Sequence, residues 1–273
     1  VGAYLQANGK LLDKKLGYTA GIRASYLGIP DKMYFTPRAG LVYSFKDNLS
    51  AKLLYGEAFR GPGFQEQYFQ VHAVAYGPDV VNRTLDPEKI KTTELAIDYI
   101  LAKKYSIRLN GFLINTEDLI LRRPIAGTSD TLILGHDMGL MYDNIGEQQI
   151  YGSEFEIRGK PSRELSFFAN FSWKNGKDKD TDEDLDYFIN STFSTGISYK
   201  PIKKLEISPN MTYVGGQTGH ISSSSLVFPP GQEIEIDGYS LLNLVLKYHI
   251  TEKLSLKVTA HNIMDTEYSY AEH

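Results

Sequence analysis

The chain has 273 residues, a formal net charge of −4 and no cysteine. Hydrophobic residues make up 42% and charged residues 23%, enough apolar material for one large domain or two small ones, which excludes a disordered chain. The acidic balance argues against a nucleic-acid partner, and the lack of cysteine removes a disulfide framework and a thiolate metal site.

No apolar run reaches the ~18 residues of a membrane-spanning helix. That leaves a membrane barrel open, because barrel strands present apolar side chains only at alternate positions. The start, Val1-Gly2-Ala3-Tyr4, has neither the charged nor the apolar region of a signal peptide and reads directly as a strand, as expected of a piece of a longer protein. Nineteen Tyr and 13 Phe against one Trp suit aromatic girdles at two membrane interfaces, though a soluble β-sandwich also favours Tyr and Phe.

Alternating hydrophobicity predicts twelve strands, over residues 2–8, 16–26, 35–45, 49–59, 90–101, 105–116, 149–159, 165–174, 188–199, 205–214, 239–249 and 254–263. In the eighth, Leu165, Phe167, Ala169, Phe171 and Trp173 share one face, while Ser166, Phe168, Asn170, Ser172 and Lys174 share the other. Short basic turns at 11–15, 46–48, 102–104, 160–164, 200–204 and 251–253 alternate with longer loops at 27–34, 60–89, 117–148, 175–187 and 215–238. A soluble sandwich has no reason to put every long loop at one end, whereas an outer-membrane barrel does. The predicted fold is therefore all-β, a membrane-spanning antiparallel up-and-down β-barrel occupying 1–273 as one domain, with no helix of consequence.

The densest signal lies between Thr36 and Glu94. Pro37-Arg38 opens a strand, Lys46-Asp47-Asn48 turns it, and Tyr55-Gly56-Glu57-Ala58-Phe59-Arg60-Gly61-Pro62-Gly63 leads into the long loop. Asn82-Arg83-Thr84-Leu85-Asp86-Pro87-Glu88 leaves that loop, and Thr93-Glu94 lies in the next strand. Further along come Asn144 and Gly146, then Gly152, Glu154 and Glu156, and finally Asn262-Ile263-Met264-Asp265-Thr266-Glu267-Tyr268. In this order the pieces resemble the TonB-dependent outer-membrane receptor family, and the likeness covers almost the whole chain. The resemblance implies a Gram-negative outer membrane, surrounding lipid and lipopolysaccharide, and coupling to TonB and its inner-membrane energy complex through a plug domain. It also implies a barrel of about 22 strands, of which this chain supplies roughly the tenth to the twenty-first; neither the plug nor its TonB-binding segment lies in this sequence. Within the family the expected ligand is a ferric siderophore or similar iron chelate. Haem is the alternative, with cobalamin, sugars and other metals behind it.

Several residues are candidates for contact with that ligand. Arg60, Glu66, Tyr68, His72 and Tyr76 lie in or beside the 60–89 loop, and haem receptors of the family resemble this layout, with a His between two such motifs. Imidazole and phenolate are both plausible iron ligands; a solvated loop His is the plainer reading. Here Gly61 and Arg83-Thr84 depart from the haem-receptor pattern. Glu94, Glu154 and Glu156 are candidates for a charged lumen meeting the plug, or for hydrogen-bonded pairs inside the wall. Asp178, Asp180 and Asp182 alternate in an acidic loop and form a weak calcium candidate, without the Gly and terminal Glu of an EF-hand. No cofactor is expected beyond a transported iron chelate or haem. Glu154 and Glu156 could also be a glycosidase pair, but no phosphate-cradle, nucleophile-elbow or HExxH motif accompanies them, so no enzyme is expected. A passive pore without energised transport is the remaining alternative.

Overall fold

A computed structural model describes residues 1–68, 84–124, 140–220 and 233–269. All twelve expected strands occur, in chain order, in one antiparallel sheet. They are β1 (Gly2–Leu11), β2 (Leu16–Leu27), β3 (Lys32–Lys46), β4 (Leu49–Arg60), β5 (Glu88–Leu101) and β6 (Tyr105–Glu117), then β9 (Gln148–Gly159), β10 (Leu165–Asp178), β11 (Ser191–Ile202), β12 (Leu205–Val214), β15 (Tyr239–His249) and β16 (Ser255–Ala260). Two hairpins rise from the loops: β7 (Ile120–Pro124) with β8 (Leu140–Asn144), and β13 (Gln217–His220) with β14 (Glu233–Ile236). A five-residue helix, α1 (Phe64–Tyr68), follows β4. The sheet does not close on itself; β1 and β16 are its edges.

Three features differ from the sequence reading. The hairpins and α1 occupy stretches expected to be plain loop. The connection expected over 27–34 is a tight turn, because β2 and β3 stay paired up to Leu27 and Lys32. And β16 ends at Ala260, not 263, because Asn262 adopts φ 47° and turns the chain out. The Asn262 side chain holds that turn: its Nδ2 donates to the Thr266 carbonyl and its Oδ1 accepts the Thr266 N–H, both at 3.0 Å.

Pairing register sorts the side chains into two faces. Leu109, Phe155, Phe171, Phe193 and Tyr213 stand opposite one another in a row across β6, β9, β10, β11 and β12. The next position along the strands gives Ser50, Asp98, Arg108, Glu156, Asn170, Ser194 and Thr212, a polar row from β4 to β12. The apolar face is strongly exposed: Leu95 is 55% and Leu109 49% accessible. Leaving one Leu in water forfeits about 1.5–3 kcal/mol of burial, so a face built of them needs lipid. The described residues contain no helix long and apolar enough to cross a membrane, so any crossing is by strands.

Toward the long loops the outer face turns from apolar to charged. Trp173 lies edge-on to Tyr151 at 5.9 Å, and beyond this pair Lys91 donates to Glu117 at 2.6 Å while Lys89 meets Asp118 at 2.7 Å. Phe171 lies mid-belt, because β10 runs on to Asp178.

The sheet is a single layer, so its packed interior lies elsewhere. Among the described residues the buried apolar side chains are Leu85 and Ile120, joined by a fully buried Pro87, with Asp143 and Ser25 as the buried polar ones. Leu85, Pro87, Ile120 and Asp143 all belong to loop roots or their hairpin. The core of this molecule is therefore at the foot of the long loops.

Candidate functional site

Arg60 ends β4 and Glu88 starts β5, and the register sets them face to face. The Arg60 guanidinium uses both edges. Its Nε and Nη2 donate to the two Glu88 oxygens at 2.6 and 2.8 Å, while Nη1 and Nη2 donate to the two Glu66 oxygens at 2.9 Å. A planar, always charged fork suits two carboxylates better than any other side chain. The acids are held in turn: Glu66 accepts the Gly63 N–H at 2.6 Å and Glu88 the Ile120 N–H at 2.9 Å. One cation thus ties α1, two strand ends and the start of the β7–β8 hairpin together. The Arg60 hydrogen bonds hold the Glu66 carboxyl below its ordinary value, against the opposing effect of its partial burial.

A second knot surrounds Leu85 and Asp86. The Asp86 carboxylate accepts Lys32 Nζ at 2.9 Å and the Tyr34 hydroxyl at 3.1 Å. Asn144, at the end of β8, accepts the Asp86 N–H at 2.8 Å and donates to the carbonyls of Asp86 and Asp118 at 2.7 and 2.9 Å. Gly146 then takes φ +99°, a conformation only glycine adopts without strain, and its carbonyl accepts the Leu119 N–H at 3.3 Å. The Lys32 hydrogen bond holds Asp86 below the usual carboxylate range, and Tyr34 adds to the effect.

On the polar face below, charges divide into paired and unpaired. Asp98 lies between Lys52 at 2.6 Å and Arg108 at 2.7 Å, and Glu156 is held by Arg158 at 3.0 Å. Glu94 is half-buried between Leu54 and Phe112, and among the described residues it has no ion pair or hydrogen bond. Glu154 has one long contact, from Asn110 Nδ2 at 3.5 Å. Glu154 and Glu156 share a face of β9, and the Glu156 carboxylate is engaged by Arg158.

The acidic loop does not assemble a cation site. Asp178 Oδ1 accepts the N–H groups of Asp180 and Thr181 at 2.8 and 3.1 Å, Asp180 accepts the Glu147 N–H at 3.2 Å, and Asp182 pairs with Lys177 at 3.0 Å. Among the described residues no group of three or more acidic or His side chains is placed to hold a metal ion. Asp178, Asp180 and Asp182, the weak calcium candidate, thus each have one carboxylate oxygen engaged by a different partner and do not converge on one point.

Of the expected ligand contacts, the structure brings Arg60 and Glu66 together. Tyr68 closes α1, but its side chain, like all of His72 and Tyr76, lies outside the described residues. Sequence reasoning missed Glu88, Lys32 and Tyr34 as partners. An Arg and a Glu closing the two strands that flank one loop was the available signal for Glu88; nothing local announced Lys32 or Tyr34, which reach Asp86 across more than fifty residues of chain.

The family model for the TonB dependent receptor-like β-barrel matches residues 1–263. The chain belongs to that family. As a segment of a TonB-dependent receptor barrel it lies in the outer membrane of a Gram-negative bacterium. The heme/hemopexin utilization protein C of Haemophilus influenzae is 23% identical over 99% of this chain and 40% of its own length. The vitamin B12 transporter BtuB of Vibrio cholerae is 25% identical over 86% of the chain and 34% of its own length. The ferripyoverdine receptor of Pseudomonas aeruginosa superposes with TM-score 0.75 at 20% identity, covering 98% of this chain and 35% of that one. This TonB-dependent barrel segment thus spans about two fifths of the first of these relatives. The Arg60 clamp and the Asn144 knot are how it roots its long loops.

Proposed function

We propose that this chain is the receptor-barrel portion of a transporter for a ferric siderophore or similar iron chelate, energised by TonB and its inner-membrane complex through a plug. The carrying observation is the contrast on the polar face. Asp98 and Glu156 are neutralised within the wall, while Glu94 and Glu154 have no cation beside them among the described residues. Glu94 is half-buried, where a carboxylate without a partner is costly, and Glu154 is exposed toward the same lumen; the natural complement of both is a donor from whatever fills it. In this reading the plug supplies that donor, and ligand binding shifts the plug between retained and released states. A passive pore would leave these acids to water, with no fixed donor opposite them. The family is one of transport receptors, which also sets the enzyme alternative aside.

Haem is the second reading, favoured by the match over nearly the whole chain to a haem utilization protein. The test is ligand binding by the full-length receptor in detergent, titrating haemin beside a panel of ferric siderophores. Tight binding of one siderophore, indifferent to His72→Ala, supports the first reading. A haemin Soret shift abolished by His72→Ala supports the second. Free ion conduction with no ligand bound overturns both.

A further inference from the structure

We infer that the short-turn rim is a binding surface for anionic phospholipid headgroups of the inner leaflet of the outer membrane. The inference rests on the outer-membrane location of the barrel and not on which ligand it transports. The six short turns together carry eleven Lys or Arg against four acidic residues. Every turn contributes, through Lys14, Lys46, Lys103, Arg163, Lys203 and Lys253 among others, and all of these are exposed. Of the turn cations, Lys200 meets a carboxylate, Glu206 at 3.6 Å, and Lys104 and Lys204 donate to backbone carbonyls. The others make no ion pair among the described residues. The opposite rim has the reverse sign: within 178–186, five Asp and Glu183 face a single Lys.

Continuity with the lipid-facing belt decides the occupant. Aromatic rings end the apolar face immediately beside these cations: Phe45 precedes Lys46, Tyr105 follows Lys104, and Tyr199 precedes Lys200. Phe45 lies edge-on to Tyr43 at 4.8 Å, and Tyr105 and Phe167 stand 6.3 Å apart over Gly159, their register partner on β9. An aromatic ring at the edge of an apolar belt with a long cationic side chain next to it is an arrangement for the headgroup layer, where the ring meets acyl chains and the ammonium reaches phosphate. Short turns of outer-membrane barrels face the periplasm, so the leaflet in reach is the phospholipid one. A cluster of cations on such a surface selects anionic lipid over zwitterionic lipid by charge.

The experiment equilibrates the full-length receptor with equal amounts of phosphatidylglycerol and phosphatidylcholine and reads retained lipid by native mass spectrometry. The expected result is a preference for phosphatidylglycerol of roughly three- to tenfold at low salt, falling toward unity at about 0.5 M salt. A variant combining Lys14→Gln, Lys46→Gln, Lys103→Gln, Lys203→Gln and Lys253→Gln should lose the preference, and Asp182→Asn with Asp184→Asn should keep it. The salt series on the unaltered receptor stands even if the five-site variant fails to fold. Absence of preference, insensitivity to salt, or a stronger preference for lipopolysaccharide that the five changes remove would each overturn the assignment.

Discussion

Asn144 grips the main chain of Asp86 from both sides, its Oδ1 taking the Asp86 N–H at 2.8 Å and its Nδ2 giving to the Asp86 carbonyl at 2.7 Å. A primary amide is the one side-chain group that can mimic a paired peptide in this way. Asn144→Ala leaves at least one part-buried backbone donor unsatisfied, at a cost of about 1–3 kcal/mol. Asn144→Asp keeps the acceptor but loses both donations, to Asp86 and Asp118. Both variants should speed amide exchange at residues 84–88 while the mid-wall strands keep their protection; unchanged exchange there would remove the joint from the account.

The Arg60 clamp carries a pH signature. Glu66 and Asp86 both have carboxyls held below their ordinary values, by Arg60 and Lys32 respectively. Depressed folded values mean the stabilisation is complete above the unfolded carboxylate range, near pH 4, and is lost as pH falls through the lower folded value. Loop-root protection should therefore be flat from pH 7 to about pH 5 and decline only in more acid solution. Arg60→Lys, a point charge in place of a fork, should weaken protection across the whole range. Limited proteolysis of the 61–87 segment against pH checks both statements.

Glycines in the wall separate into tight and open positions. A methyl group on Gly152 would press into the Trp173 carbonyl oxygen and lie 2.8 Å from the Phe112 ring, whereas on Gly56 it meets nothing within 4 Å. Gly152→Ala should cost about 1–3 kcal/mol, and Gly56→Ala should be neutral or slightly stabilising. Thermal unfolding of the barrel, followed by its heat-modifiable gel mobility, distinguishes the two.

Glu94→Gln and Glu154→Gln test the lumen reading. Both should leave barrel unfolding nearly unchanged, since neither residue has an ion pair among the described residues, yet alter plug retention and energised uptake. Asp98→Asn should behave oppositely and destabilise the wall, because it unpairs Lys52 and Arg108 together. A loss of barrel stability in Glu94→Gln would count against an external partner.

The wall was readable from the chain because period-two alternation is a local property. Leu165 to Trp173 announces its faces without reference to any other strand. The punctuation was readable for the same reason, since the short turns stand out by composition. The loop roots were not. Leu85 looks no different in sequence from a lipid-facing Leu, yet it is fully buried, and its neighbour Asp86 is held by Asn144 and Lys32 from distant parts of the chain. The β7–β8 and β13–β14 hairpins escaped because their strands are four or five residues long, too short for alternation to register. Asp178, Asp180 and Asp182 show the same limit: even spacing suggested converging oxygens, but one turns the loop, one meets the Glu147 N–H and one pairs with Lys177.

The placement of the buried cluster at Leu85, Pro87 and Ile120 has a consequence for how such a protein can change. A barrel wall transmits substitutions sideways through its pairing register, so mid-wall positions are coupled to their neighbours. The loops leave that register at a small hydrophobic plinth of buried residues, flanked by the hydrogen bonds of Arg60 and Asn144. Segments beyond the plinth can therefore be lengthened, shortened or exchanged, and the ligand they meet replaced, while the strands beneath keep their alignment.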